Sequence, residues 1–222
     1  EQAYVRSFKS ALVILCGLLL LSVAPGAVSL VEDGQAVAEI YVHPEDMQPV
    51  ERMRFYYMQK QPSEISLAVD DLNYHLQTMT GTELDVVEHT DAATIPKPAL
   101  VVGRLARELG ATVESTAWGE DYRVLTRDDR VLIAGERIAS TAYGVYDFLQ
   151  GLGCAWLMPG EMGEVIPKRQ DVAVPATDRA VHPAFGFRNL WICGGRKTFP
   201  GNSREEVDTS LRRMRFGVAE QH

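Results

Sequence analysis

The stretch from Thr141 to Gly160, TAYGVYDFLQGLGCAWLMPG, admits few folds. Ile138, Ala142, Val145 and Leu149 recur at helical spacing and form one apolar stripe, yet Gly144 stands inside that helix. A glycine there costs about 1 kcal/mol relative to alanine. Close approach of the helix to a sheet is the compensation it implies. Gly151 or Gly153 can take the left-handed conformation that ends a helix. The apolar run CAWLMP follows at once and reads as a buried strand. A helix laid on a mixed sheet, with the chain re-entering that sheet immediately, is the architecture this pattern predicts.

The rest of the chain up to residue 176 follows the same plan. AVAEIYVH (36–43) alternates as a strand does. Ser63 is placed to cap a helix whose apolar face is Ile65, Ala68, Leu72, Leu76 and Met79, with Gly81 as its stop. LDVVE (84–88) and ALVVG (99–103) read as short strands, and RLARELG as a short helix closed by Gly110. DYRVLT and RVLIAGE flank Arg127-Asp128-Asp129 as a hairpin, with VLIA covered on both faces. GEVIPK and DVAVP are expected to complete the sheet edge. PEDMQPVERMRFYYMQKQ gives no clear period. With 46% hydrophobic residues a packed core is affordable in composition, and the expected class is α+β. More specifically, it is a two-layer sandwich of a mixed β-sheet with two main helices on one face, over residues 36–176.

Beyond residue 176 the composition changes. Pro183 precedes an aromatic, strand-like run from Phe185 to Cys193. Ser203 and Glu206 form a capping box, and Val207, Leu211 and Met214 make an apolar stripe. VAEQ then reads as the start of another strand. Strand, helix, strand is the βα pattern of a parallel α/β body, so residues 183–222 are expected to open such a body. The chain begins at Glu1 and stops at His222, just as that next strand begins, and is read as a fragment of a longer protein.

At the other end, Arg6 and Lys9 precede a continuous apolar run, Ala11 to Leu21, followed by SVAPGAVS. This is the pattern of a secretory signal peptide, residues 1–29, with cleavage after Ser29 and a secreted or periplasmic product. The alternative is a retained segment, the one route by which a membrane enters the reading. Export would leave Cys154 and Cys193 in an oxidising compartment, where they could pair. Cys154 lies in an apolar run and also reads as a buried thiol.

Chemistry-bearing motifs are sparse. The net charge is −8, from 22 basic and 30 acidic side chains, which disfavours nucleic acid as a partner. Arg212, Arg213 and Arg215 read as a solvated helix face. His43, His75, His89, His182 and His222 form no metal-binding spacing, and His75 is expected on the flank of its helix. VVGRLARELG lacks the glycine pattern of a phosphate loop and is an ordinary strand-to-helix turn. Asp70-Asp71, Asp128-Asp129 and Glu205-Glu206 each have a structural explanation: a polar helix face, a hairpin turn, a helix's first turn. No catalytic residue, cofactor or metal is expected.

Taken in order, AVDDLNYHLQTMTGTELDVV, ALVVGR, the run from DYRVLT to GEVIP, and HPAFGFRNL resemble the N-terminal domain of family 67 alpha-glucuronidases. They are also similar to the domain that precedes the barrel in family 20 beta-hexosaminidases and to exported bacterial proteins sharing it. The resemblance covers about residues 36–192. It implies a domain without catalytic acids beside a (β/α)8 barrel, with 183–222 as the first βα unit of that barrel. It further implies that Arg188, in the first barrel strand, holds sugar hydroxyls, while Asn189 after it departs from the usual small residue. Trp191 could stack on a sugar or fill the barrel core, and Arg188 could equally serve a structural ion pair. The function implied is the non-catalytic part of an exported glycoside hydrolase-like protein, with polysaccharide or oligosaccharide bound through the missing barrel. The alternative is a stand-alone carbohydrate-binding or docking module, for which RFYYMQ (54–59) is the candidate aromatic run, one that core or loop packing explains equally well.

Overall fold

A computed structural model describes residues 26–54, 57–116, 119–185, 188 and 203–216. Strand β1 (Val28–Glu32) turns into β2 (Gln35–Ala36), and β3 (Glu39–Val42) follows. One helical turn, α1 (Pro44–Met47), leads to a hairpin of β4 (Val50–Arg54) and β5 (Tyr57–Gln61). The long helix α2 (Glu64–Thr80) precedes β6 (Val86–Glu88) and β7 (Ala99–Val102). After the short α3 (Arg104–Glu108) come β8 (Tyr122–Arg127), β9 (Arg130–Gly135) and the second long helix, α4 (Ile138–Gly151). Four short strands follow: β10 (Ala155–Trp156), β11 (Glu164–Val165), β12 (Val172–Val174) and β13 (Asp178–Val181). Helix α5 (Arg204–Arg213) is the last described element.

Six strands form the main sheet in the order β13-β8-β9-β7-β3-β6. β6, β3, β7 and β9 run parallel; β8 runs antiparallel to β9, and β13, antiparallel to β8, forms one edge. The period-2 alternation of a strand decides which core each side chain enters. Ile40, Val42, Leu100, Val102, Val131 and Ile133 face α2 and α4. Tyr41, Ala99, Val101, Leu132 and Ala134 face the opposite side, where Leu105 and Ala106 of α3 join Ala92, Ile95 and Ala111. The sheet is therefore covered on both faces, with the two main helices on one of them as expected and α3 on the other.

The helix ends follow the sequence. Ser63 Oγ accepts from Ser66 N–H at 3.0 Å, and Gly81 closes α2 in the left-handed region at φ 84°. Ile65, Ala68, Leu72, Leu76 and Met79 are all buried. Asn73 clamps the chain after α2, accepting from Leu84 N–H at 2.9 Å and donating to its carbonyl at 2.8 Å. Asp128 and Asp129 both have positive φ, 50° and 58°, the requirement of the tight turn that matches strand twist. A Cβ placed on Gly144 would lie 2.9 Å from Ile133 Cγ2 and 3.4 Å from Tyr122 Cδ2, so the glycine is what lets α4 rest on β8 and β9.

Several expectations change. Cys154 to Pro159 does not re-enter the sheet. Only Ala155 and Trp156 are extended, and they pair with β11 in a separate two-stranded ribbon that leaves Leu157 and Met158 exposed. The DVAVP strand is likewise not the sheet edge. Its β12 pairs with β1, and the edge is β13, from the stretch where composition changes. β1 itself is core: Val28 pairs with Val174 and is buried, so a cut after Ser29 would fall inside this strand. In α5 the predicted capping box forms, with Glu206 N–H donating to Ser203 Oγ at 3.1 Å. Its buried line, however, is Val207, Ser210 and Arg213, and Met214 is exposed. The strands expected at 185–193 and at VAEQ lie outside the described residues, apart from Phe185 and Arg188, and the side chains of 54–57 are outside them too.

Gly144→Ala tests the close approach. In an open helix this change stabilises by about 1 kcal/mol. Here the added methyl meets Ile133, so a net loss of about 1–3 kcal/mol is expected from urea denaturation. A gain in stability would contradict the packing.

Candidate functional site: a charged seam over the helix layer

From Ser140 to Leu149 every residue of α4 is buried, polar ones included. Apolar contact with the sheet accounts for one side. On the other side lies a line of carboxylates that meets cations from the C-terminal part of the chain.

At one end, Asp71 of α2 and Glu164 of β11 share Arg213 of α5. Arg213 Nη2 is 2.9 Å from Asp71 Oδ1, and its Nη1 donates to Glu164 Oε1. Tyr146 Oη donates to Asp71 Oδ2 at 3.0 Å. Burial works against the charge on Arg213, but the bonds and charges of Asp71 and Glu164 outweigh it and raise its pKa above the usual arginine value. The guanidinium also lies 5.7 Å from the Trp156 ring centroid. At the N–H edge of that ring sits His75, fully buried on α2. The indole can only donate, so Trp156 Nε1–H donates to His75 Nε2 at 3.1 Å. Nδ1 therefore carries the imidazole proton and donates to the Asp71 carbonyl at 2.6 Å.

In the middle, Asp147 of α4 receives Arg215 at 2.9 Å and pairs with Arg179 of β13. Arg215 follows α5 with φ 60°, and Phe216 N–H closes back on the Leu211 carbonyl. That left-handed ending aims the guanidinium down at Asp147 and the Tyr122 hydroxyl. At the far end Arg188 Nη2 is 2.6 Å from Glu120 Oε2, and its guanidinium lies 5.4 Å from the Tyr143 centroid. Burial, with the nearby Glu120, pushes the Tyr143 hydroxyl up to about 12. Beside it the wholly buried Asp121 accepts from Thr116 N–H and Oγ1–H at 2.6 and 2.7 Å and faces His182 Nδ1 at 2.9 Å. Burial opposes the Asp121 charge, but these bonds prevail and hold its carboxyl below the ordinary range.

Arg188, one of the two sequence-derived sugar-contact residues, thus lies in the seam. Besides Glu120 it donates to the carbonyls of Phe185 at 2.9 Å and Arg215 at 3.1 Å. Trp191 lies outside the described residues. His75 is fully buried, not on a surface flank, and Arg213 is a buried ion-pair partner, not part of a solvated face. One signal for the seam was present in the sequence. Asp147 interrupts an apolar helix, and a carboxylate in such a place needs a partner. Nothing local announced His75 or Arg213.

The oxygens of Asp71, Asp147 and Glu164 are turned to cations and hydroxyls of the same chain, not to a cleft. Among the described residues no group of His, Cys, Asp or Glu could hold a metal ion. An open groove of about 650 Å³ at the end of α2 is lined by Gln77–Gly81 and Lys168–Gln170, away from the seam and without an acid or histidine. At the start of α3, the free Arg104 N–H is taken by Asp46 Oδ2 at 2.8 Å, as suits an ordinary strand-to-helix turn. Cys154 is a buried thiol without a disulfide partner among the described residues, pushed by burial up to about 11, and Cys193 lies outside those residues.

No family model matches the sequence, and no curated protein matches it. Among solved structures, the chain is similar to a family GH115 4-O-methyl-alpha-glucuronidase, BtGH115A, with specificity for decorated arabinogalactans. The likeness has a TM-score of 0.56 at 17% identity and covers 86% of this chain and 25% of that one. The chain thus spans about a quarter of that enzyme's length. The fold is like that of part of this enzyme, and the likeness does not single out family 67 or family 20.

Charge position should decide the cost of removing an acid. Asp147→Ala leaves Arg215 and Arg179 facing a buried, uncharged site, and a loss of about 3 kcal/mol is expected. Glu45→Gln removes the partner of Arg104 in an exposed pair, 65% and 40% exposed respectively. It should change stability by less than about 1 kcal/mol. Equal costs in urea denaturation would contradict the seam.

Proposed function

We propose that the chain is the non-catalytic N-terminal part of an exported glycoside hydrolase-like protein of alpha-glucuronidase or hexosaminidase type, acting in polysaccharide degradation. The observation that carries this reading is the likeness of 86% of the chain to part of an alpha-glucuronidase, joined to a seam whose charges are met within the chain. In this reading residues 36–176 are scaffold, and the segment from 183 onward opens a (β/α)8 barrel. The seam is the joint between the two, and the catalytic acids lie elsewhere in the parent protein. Arg188 and Trp191 are its candidates for sugar contact. For Arg188 that role requires exchanging the Glu120 pair for sugar hydroxyls, which a guanidinium fork can also hold.

The purified chain should hydrolyse neither aryl glucuronides nor aryl N-acetylglucosaminides, and should give no calorimetric binding to uronate-bearing oligosaccharides. Turnover by the chain alone would overturn the reading, and binding without turnover would favour a carbohydrate-binding module instead. The coding sequence past residue 222 should supply further βα units with two inward carboxylates about 5–10 Å apart. A stop codon directly after His222 would contradict the proposal.

Export through the basic and apolar leader (Arg6, Lys9 and 11–21) is part of the same proposal. Because β1 begins at Val28, processing upstream of it fits the fold. Sequencing of the exported protein should give an N-terminus at or before Val28, and one at Leu30 would mean that the first two residues of β1 are dispensable.

A further inference from the structure

The seam holds a titratable group whose two nitrogens are both committed. His75 donates from Nδ1 to the Asp71 carbonyl and accepts at Nε2 from the Trp156 indole. A second proton has no acceptor. It would turn Nε2 into a donor facing the indole N–H across 3.1 Å. Trp156 cannot yield without consequence, because its ring carries Arg213 on one side and meets the edge of Tyr146 at 5.8 Å. Arg213 in turn ties α5 to α2 through Asp71. Proton, indole and guanidinium are therefore coupled in series.

The charges around His75 do not all act in one direction. Asp71 on its own helix and Glu164 on β11 favour an imidazolium, and Arg213 on α5 opposes it. Tyr74, Tyr146 and Cys154 lie in the same cluster, and their pKa values, all pushed upward, leave them neutral near pH 6. Burial of the ring opposes the cation most strongly.

We propose that His75 is a proton-sensitive latch: neutral, it holds Trp156 under Arg213 and keeps α5 docked; protonated, it releases α5 while the sheet and its two helices stay folded. The core permits this separation, since Val207 is the one residue of α5 among the buried hydrophobics, and it belongs to neither core cluster. The folded-state pKa of His75 is held below its ordinary value, chiefly by burial. Docking is thus fully present above about pH 6.5, where free histidine is neutral, and weakens as pH falls through the window below it.

Amide hydrogen exchange on the whole chain, corrected for the intrinsic effect of pH, reads the latch directly. Between about pH 7.5 and pH 5.5, protection of residues 204–213 should fall roughly tenfold, with residues 130–135 of β9 unchanged. His75→Gln should reduce that pH-dependent loss to about threefold or less. Trp156→Phe keeps a ring under Arg213 but removes the opposing N–H, and should lessen the dependence, by less than the glutamine change does because the imidazole stays buried. It provides the test should the glutamine variant fail to fold. Equal protection of 204–213 at both pH values in the wild type would overturn the latch. So would a tenfold loss that persists unchanged in either variant, or a parallel loss in β9.

Discussion

A carboxylate inside a helix that is buried all round must be met by a cation, and this constraint organises everything above the sheet. Asp147 is 8% exposed and lies in the middle of α4. Left alone it would cost several kcal/mol, whereas removing either member of a formed pair strands the other. Arg215 and Arg179 meet it from two different elements, the turn after α5 and the edge strand β13. Arg213 repeats the arrangement in reverse, as a buried cation between Asp71 and Glu164. The C-terminal segment is therefore held by groups that have no comparable partner in water, and its place over α2 and α4 follows from them.

That arrangement depends on the layer beneath. Gly144 lets α4 approach Ile133 and Tyr122, and so fixes the height at which Asp147, Tyr143 and Tyr146 stand. Asn73 and Gly81 fix the end of α2, and the helical period puts Asp71 and His75, four residues apart, on one face. The β10–β11 ribbon is two residues long in each strand, too short to be stable by itself. It is placed by Trp156 and Glu164, both of which belong to the seam. Local geometry and charge pairing support each other here, which is why a fold with several small sheets can still present one continuous joint.

Much of the layer was legible in the sequence because its signals are local. Ser63 and Gly81, the Asp128-Asp129 turn, Gly144 in its stripe, and Ser203 with Glu206 each state a backbone requirement within a few residues. The seam was mostly not legible. Arg213 and Asp71 are 142 residues apart, and nothing near either one names the other. His75 reads as a polar residue on the flank of a helix until Trp156 is folded over it. The extended residues of β10, β11 and β12 were placed as strands, but strands of two or three residues do not encode which edge they join. They pair outside the main sheet for that reason, and β13, rich in charge, forms an edge that carries no apolar strand pattern.

The central claim is that paired buried charge, not apolar contact, fastens the C-terminal helix to the helix layer. A double-mutant cycle on Asp71→Ala and Arg213→Ala, read by urea denaturation, measures that coupling without assigning either residue's whole effect to the pair. The account requires a coupling energy of about 1.5 kcal/mol or more, in the range found for contacting residues within one network. Additive single-mutant effects, with coupling within about 0.3 kcal/mol of zero, would mean that the helix is held by something else.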